Sequence, residues 1–528
     1  MVVRTSNPGF KGSLGGYWGG VFSVFFVCWP NMAGRGSYPG DPDRRYCAEL
    51  GGADRSSFRT GVKIVSIFYK TAVAAALSTA VWFMPCTVSA ETITGAMAKA
   101  YQNNPDLNAV RAGLRATDEG VPIAKSGYRP QVSASVQGTL TSLEMERRFG
   151  LKDTVEDFHT GVASITVTQQ IFDGFQTLNN VRAAEANVFS SRETLKANEI
   201  SILLAAAQSY ANIARDQRIV AIRKQNLAFL KEQLKAAQSR LGVGEGTRTD
   251  VSQAEAELAS AQAILANAIA QLKQSESVYV QIVGDAPAGV KQPAPASKAL
   301  PKTLDQAVAA GLRDNPTIAA AQYNVDAAGY RVKSAEGTML PGVVVQGSVA
   351  RNTGDASERT ASGLDSTRAT ITARLEVPLY QGGAEYGQIR QAKERLGQQR
   401  ILVDSARAAV QQTIVSAHAQ LEAALATTIA NKAQVSAANM ALAGVIEERK
   451  VGQRTTLDVL DAQQSVLVAE ESLVSSQRNA VVASYSLLAA TGRLTVRSQG
   501  LQVAEYRAEE HYEEVKDKWF GLRTVDDR

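Results

Sequence analysis

Two hydrophobic spacings alternate along this chain. In "LLAAAQSYANIARDQRIVAIRKQNLAFLKEQL" (203–234), apolar residues recur every three to four positions with small alanines between them, the seam of a coiled-coil-like helix. The enclosing run 175–241 has neither Gly nor Pro, which predicts one helix roughly 100 Å long at 1.5 Å per residue. Elsewhere the period is two. In "QVSASVQGTL" (131–140), Val132, Ala134, Val136 and Leu140 oppose Ser133, Ser135, Gln137 and Thr139. "GVASITVTQQIF" (161–172) and "TRATITARLEVPLY" (367–380) alternate likewise, and "VVVQGSVAR" (343–351) does so less cleanly. Strands of about ten residues with one polar and one apolar face suit a transmembrane β-barrel. Four strands cannot close one, because an open edge in hydrocarbon leaves backbone groups unsatisfied, so the barrel would be shared among copies of the chain.

The pattern also repeats. "TITGAMAKAYQNNPDLNA" (92–109) matches "TLDQAVAAGLRDNPTIAA" (303–320) at an offset of 211, with Pro130 and Pro341 in step. "QQIFDGF" (169–175) then matches "VPLYQGG" (377–383) at 208, aligning Phe172 with Tyr380, and Gly244/Gly452, Asp250/Asp458 and Gly284/Gly492 keep that offset. This predicts an internal duplication. The first copy spans 91–284: a helix, strands 131–140 and 161–172, long helix 175–241 and return helix 247–283. The second spans 302–492: a helix, strands 343–351 and 367–380, long helix 384–451 and return helix 453–491. Linker 285–301, with its four prolines, joins them, and 493–528 forms an equatorial tail.

Composition narrows the function classes. The 45% apolar content is that of a folded protein, and the net charge of +5 is spread along the chain, which argues against nucleic-acid binding. All three cysteines, Cys28, Cys47 and Cys86, precede residue 87, so downstream neither disulfides nor a Cys-ligated metal is available. His159, His418 and His511 lack ligand-like spacing, and no nucleophile–base pair or phosphate loop is evident. "GVGEGT" (242–247) follows a helix rather than a strand. The reading is of a non-enzyme without metal or cofactor. Residues 62–90 read as a secretory signal peptide, with Lys63 and Lys70 before an apolar run and Val88-Ser89-Ala90 at the cleavage position. Gly-rich residues 1–61 are expected to be an unstructured extension upstream of a translation start near Val62.

Between each long helix and its return helix lies a related interruption, "GVGEGTRTD" (242–250) and "KVGQRTTLD" (450–458). Gly242, Gly244 and Gly452 tolerate a left-handed C-cap, and Thr247-x-x-Asp250 and Thr455-x-x-Asp458 start helices as capping boxes. Capping accounts for neither Asp461, one turn beyond Asp458, nor Arg454, where the first copy has Gln253 and Gly246.

The ordered set resembles the TolC family of outer-membrane efflux and type I secretion channels across residues 91–520. It rests on the duplication, the "NP" helices, strand pairs ending in "IFDGF" and "PLYQGG", and "VGQRTTLDVLDAQ" followed by "LLAATGRL". The resemblance implies a mainly α homotrimer whose twelve-stranded barrel in outer-membrane lipid, four strands per chain, continues as an α-helical coiled-coil tunnel across the periplasm of a Gram-negative cell. It implies an exit duct for a periplasmic adaptor (membrane fusion) protein and an inner-membrane pump of RND or ABC type. By position, Asp458 and Asp461 would form the constriction ring, and Arg454 would bond Thr249 and Asp250 of a neighbouring hairpin. Where the family carries a tyrosine three residues before the glycine this chain has Arg449, which is expected to pair with an acid instead. Val243, Gly244 and Thr247, with Val451, Gly452 and Thr455, would meet the adaptor, and Phe172 and Tyr380 would be barrel-interface aromatics. The rival reading is a periplasmic coiled-coil structural or adaptor protein without a barrel.

Overall fold

The computed structural model describes residues 91–145, 154–296, 300–354 and 365–525. The expected extension 1–61 and signal peptide 62–90 lie outside the described residues, as do 297–299 of the linker and 526–528 of the tail.

Helices dominate. The first set is α1 (Ile93–Asn103), α2 (Pro105–Asp118), the short α3 (Gly120–Lys125), α4 (Gln176–Gly242) and α5 (Arg248–Val283). The second is α6 (Leu304–Asp314), α7 (Pro316–Gly337), α8 (Ala384–Lys450) and α9 (Thr456–Ala490), and the tail adds α10 (Val496–Gln499) and α11 (Ala508–Val515). The long helices α4 and α8 each run 67 residues, about 100 Å. The single helix expected at the start of each copy is in fact broken at Asn104 and at Asn315. Pro105 and Pro316 have no N–H to continue a helix but are suited to start one.

Each Asn side chain then serves twice. Asn104 Oδ1 accepts from Leu107 N (3.0 Å) while its Nδ2 donates to Ile282 O (2.9 Å) near the end of α5. Asn315 does the same with Thr317 N (2.9 Å) and Ala490 O (2.9 Å) at the end of α9. The "NP" pair is thus a joint that fixes a broken helix to the terminus of the return helix.

The main core lies at this level, where Met97, Tyr101 and Leu107 pack against Leu203, Tyr210 and Ile213 of α4, Tyr279 and Val283 of α5 and Leu488 of α9. Tyr210 Oη donates to Glu91 O (2.6 Å) and accepts from Lys291 N (3.0 Å), so the start of α1 and the linker share one anchor. Leu494, Val496 and Leu501 of the tail join this core. Beyond Ala508 the tail departs from the expectation and follows α2 toward the sheet. His511 Nδ1 lies 3.0 Å from Asp118 Oδ2, and Lys125 Nζ 2.7 Å from Asp517 Oδ1.

The strands are β1 (Gln131–Met145), β2 (Thr154–Phe172), β3 (Gly342–Gly354) and β4 (Ser366–Glu376), one antiparallel sheet in the order β1-β2-β3-β4. β4 ends four residues earlier than expected, with Pro378, which cannot donate to a ladder, just beyond it. The register sorts the two faces across all four strands. Val132, Val167, Gly347 and Ile371 lie in one row and Ala134, Ile165, Val349 and Ala369 in the next on that face. Between them, on the opposite face, lie Ser133, Thr166, Ser348 and Thr370. Nothing in the described chain covers the apolar face: Val136 is 87% and Ile371 84% exposed. β1 and β4 are its free edges.

Sheet and helices meet at a close crossing. Gly174 (φ +68°) follows β2, and a Cβ there would lie 2.3 Å from Gly337 O at the end of α7. Phe175 is left-handed too (φ 64°), where the equivalent residue of the second set is Gly383. Its ring packs edge-on against Phe172 at 5.1 Å, worth about 1 kcal/mol toward the roughly 1–2 kcal/mol cost of that backbone.

Candidate functional site

The hairpin tips, at the ends of the long helices away from the sheet, hold most residues singled out from sequence. Each tip has the same local chemistry. Gly244 and Gly452 both take φ +82°, the turn that ends α4 and α8, whereas Gly242 stays helical. The chain closes over itself through Glu245 N donating to Arg240 O (2.9 Å) and Gln453 N to Glu448 O (3.0 Å).

Both capping boxes form. Thr247 N donates to Asp250 Oδ2 (3.1 Å) and Asp250 N to Thr247 Oγ1 (3.2 Å). In the second tip the distances are 2.7 Å for Thr455 N to Asp458 Oδ2 and 3.2 Å for the return bond. Hydrogen bonds from Thr247 hold the Asp250 carboxyl below its ordinary value, with Thr456 of the second tip and Arg240 adding to the effect. The Thr455 backbone and hydroxyl bonds lower Asp458, with Arg454 adding charge attraction. Both carboxylates are therefore ionised at neutral pH.

Asp461 is exposed one turn beyond the half-buried Asp458, while Val459 and Leu460 point into the helix packing. This leaves two acids on one accessible face of α9. Val243 (73% exposed) and Val451 (72%) crown the two tips as apolar residues without cover in this chain.

Within one chain the two arginines singled out from sequence have these partners. Arg454 does not reach Thr249 or Asp250; its Nε donates to Glu448 Oε2 at 2.8 Å, across its own turn. Arg449 takes an amide rather than an acid, donating through Nη1 to Gln233 Oε1 on α4 at 2.9 Å. Burial and nearby Arg240 push the Arg449 guanidinium down, and Asp250 opposes them. So Arg449 and Asp250 come together as parts of an inter-tip cluster, whereas Arg454 stands outside it. Phe172 closes β2 and Tyr380 lies in the exposed segment after β4, at the other end of the molecule.

A polar ladder above the tips had no signature among the motifs of the sequence. Besides Gln233, α4 sends Asn212 to Arg478 Nε (2.8 Å) and Asn226 to Gln463 Nε2 (3.1 Å). Between them Arg223 Nη2 donates to Glu471 Oε2 at 2.6 Å, and its Nε lies 2.5 Å from Oε1 as an ion pair. Positions 212, 223, 226 and 233 fall on multiples of about 3.5 residues, one stripe of α4 facing the second hairpin. That stripe was detectable as polar breaks in an apolar seam, but its partners lie more than two hundred residues away with no local cue.

Among the described residues no helix is long and apolar enough to cross a membrane, and no group of three His, Cys, Asp or Glu side chains is placed to hold a metal ion. A cavity of about 1170 Å³ is an open groove between α2, α4 and the tail, far from the tips in sequence and lined by Arg111, Arg192 and Tyr506 among others.

Residues 96–285 and 309–493 match the family model described as outer membrane efflux protein. The chain is 48% identical over 439 residues to the outer membrane efflux protein BepC of Brucella suis, covering 83% of this chain and 93% of that protein. It is 23% identical to the outer membrane protein TolC of Escherichia coli K12, covering 77% and 83%. Among solved structures, the CmeC outer membrane channel of Campylobacter jejuni superposes with a TM-score of 0.67 at 16% identity, over 81% of this chain and 90% of that one. CusC gives 0.65 at 17% identity, over 76% and 92%. At these identities the likeness to those channels is one of overall fold. The chain belongs to the TolC family of outer-membrane efflux proteins.

Proposed function

We propose that this chain is the outer-membrane exit duct of a tripartite efflux pump or type I secretion system, working as a homotrimer. The observation that carries the reading is the four-stranded sheet with two free edges and an apolar face that nothing in the chain covers. Edges exposed to lipid leave backbone N–H and C=O groups unpaired at several kcal/mol each, so β1 of one copy pairs with β4 of the next. Three copies give twelve strands, with Val132, Ile165 and Ile371 outward and the Ser–Thr rows lining the lumen. The two sets of elements in matched order derive from a duplication, which gives each copy two hairpins and the trimer six tips.

Those six tips form the periplasmic mouth. Asp458 and Asp461 contribute six carboxylates that focus negative potential across the narrowest point and favour cations. Arg454, held by Glu448 within one chain, is the residue free to exchange onto Thr249 or Asp250 of an adjacent protomer when the mouth closes. Val243 and Val451, with Gly244, Thr247, Gly452 and Thr455, receive the adaptor that docks the inner-membrane pump. Opening is an iris-like untwisting of the second hairpin, which breaks the Arg449–Gln233 rung first because it lies closest to the tip.

The oligomeric state tests the reading. Protein extracted from outer membranes in mild detergent should have the mass of three chains by light scattering. A monomer, or recovery in the soluble periplasmic fraction, would favour the rival coiled-coil protein without a barrel.

A further inference from the structure

Beyond α11 the tail makes contacts that neither helix packing nor the tips require. Lys518 O accepts from Arg129 Nη1 at 2.9 Å, and the Arg129 guanidinium lies over the Trp519 ring at 4.8 Å. Lys125 Nζ holds Asp517 at 2.7 Å. Arg129 stands two residues before β1, so these bonds carry the tail to the end of the sheet where strands give way to helices. There Trp519 is 63% and Phe520 87% exposed, and Leu522 is wholly exposed. Tyr128 and Val132, just before and at the start of β1, continue the exposed apolar surface onto the strand itself. Around it stand Lys125, Arg129, Lys516, Lys518 and Arg523, with the carboxylates Asp517, Glu513 on Lys516 and Asp173 near Tyr128.

Trp beside strand ends, an apolar pair next to it and an excess of cations is the chemistry of a membrane–water interface with anionic headgroups. Left in water, three large apolar side chains on one short segment form an exposed patch that soluble surfaces avoid. The Arg129 guanidinium can lie on the indole face and still donate outward to phosphate.

We propose that residues 516–523 anchor the channel to the periplasmic leaflet of the outer membrane, with Trp519, Phe520 and Leu522 seated among anionic phospholipids beside the base of β1. This rests on the outer-membrane barrel reading. The anchor would fix the depth of the barrel through a segment outside both sets of elements.

The test uses full-length protein extracted from outer membranes and reconstituted into nanodiscs of phosphatidylethanolamine and phosphatidylglycerol carrying acyl-brominated lipid. The emission of Trp519 is isolated as the difference between wild type and Trp519→Phe. The proposal expects a blue-shifted component that loses most of its intensity to brominated lipid and little to aqueous iodide. Quenching by iodide but not by brominated lipid would place Trp519 in water and overturn it. Shielding from both would mean that a neighbouring protomer covers the site, and would overturn it equally. Channel currents from the same preparation report the duct separately: currents without lipid quenching defeat only the anchor, and absent currents defeat the duct.

Discussion

Gly174→Ala should destabilise the protein by about 2–5 kcal/mol, enough to lower its amount in the outer membrane severely. Two costs add. A left-handed backbone bearing a Cβ costs about 1–2 kcal/mol, and a methyl forced into a packed crossing about 1–3 kcal/mol more. The new Cβ would stand 2.3 Å from Gly337 O, and backbone cannot step aside as a flexible side chain would. Total stability of a folded domain is only about 5–15 kcal/mol, so this is a large fraction. Gly382→Ala is the control. Its φ is +72° and nothing lies within 4 Å, so only the backbone cost of about 1–2 kcal/mol applies. Melting temperatures of the two purified variants, read beside wild type, check the contrast; equal shifts would mean the crossing is not tight.

The second large effect is functional. In Asp458→Ala/Asp461→Ala, block of the channel by a multivalent cation should weaken by on the order of a hundredfold, since loss of about 3 kcal/mol of binding has that effect. A cation within 4 Å of a single carboxylate gains about 1 kcal/mol in water and about 4 kcal/mol at a protein-like dielectric, so losing several charges reaches that figure readily. Folding should be spared only in part, because Asp458 also caps α9 and Asp461 does not. Asp461→Ala alone therefore separates the roles: it should weaken block while leaving the melting temperature in place. Unchanged block affinity in the double variant would remove both residues from the constriction.

How much of this the chain's text disclosed depends on the range of the interactions. Helices α4 and α5, the capping boxes and the alternating faces of β1 and β2 are local, set by spacing and by residues three apart, and were legible. The ends of strands were less so: β2 begins seven residues before its clean alternation, and Pro378 cut β4 short. The "NP" pairs were visible as a repeat but not as helix breaks, and the second use of Asn104 and Asn315, donating to Ile282 and Ala490, depends on tertiary contact. The tips divide the same way. Thr247, Asp250, Thr455 and Asp458 were readable as turn chemistry, but the partners of Arg449 and Arg454 were not. Gln233 lies 216 residues from Arg449, and Glu448 competes for Arg454 from within the same turn. The path of the tail to Arg129 had no periodic signal to announce it.

As an exit duct, this chain would enclose a water-filled path whose periplasmic mouth is narrow and negative. Single-channel recording of purified protein in a planar bilayer tests this most directly. Discrete, cation-selective openings of low conductance, blocked by multivalent cations from the tip side alone, are the expected result. Bilayers that stay silent with demonstrably inserted protein, or discrete currents selective for anions, would contradict it.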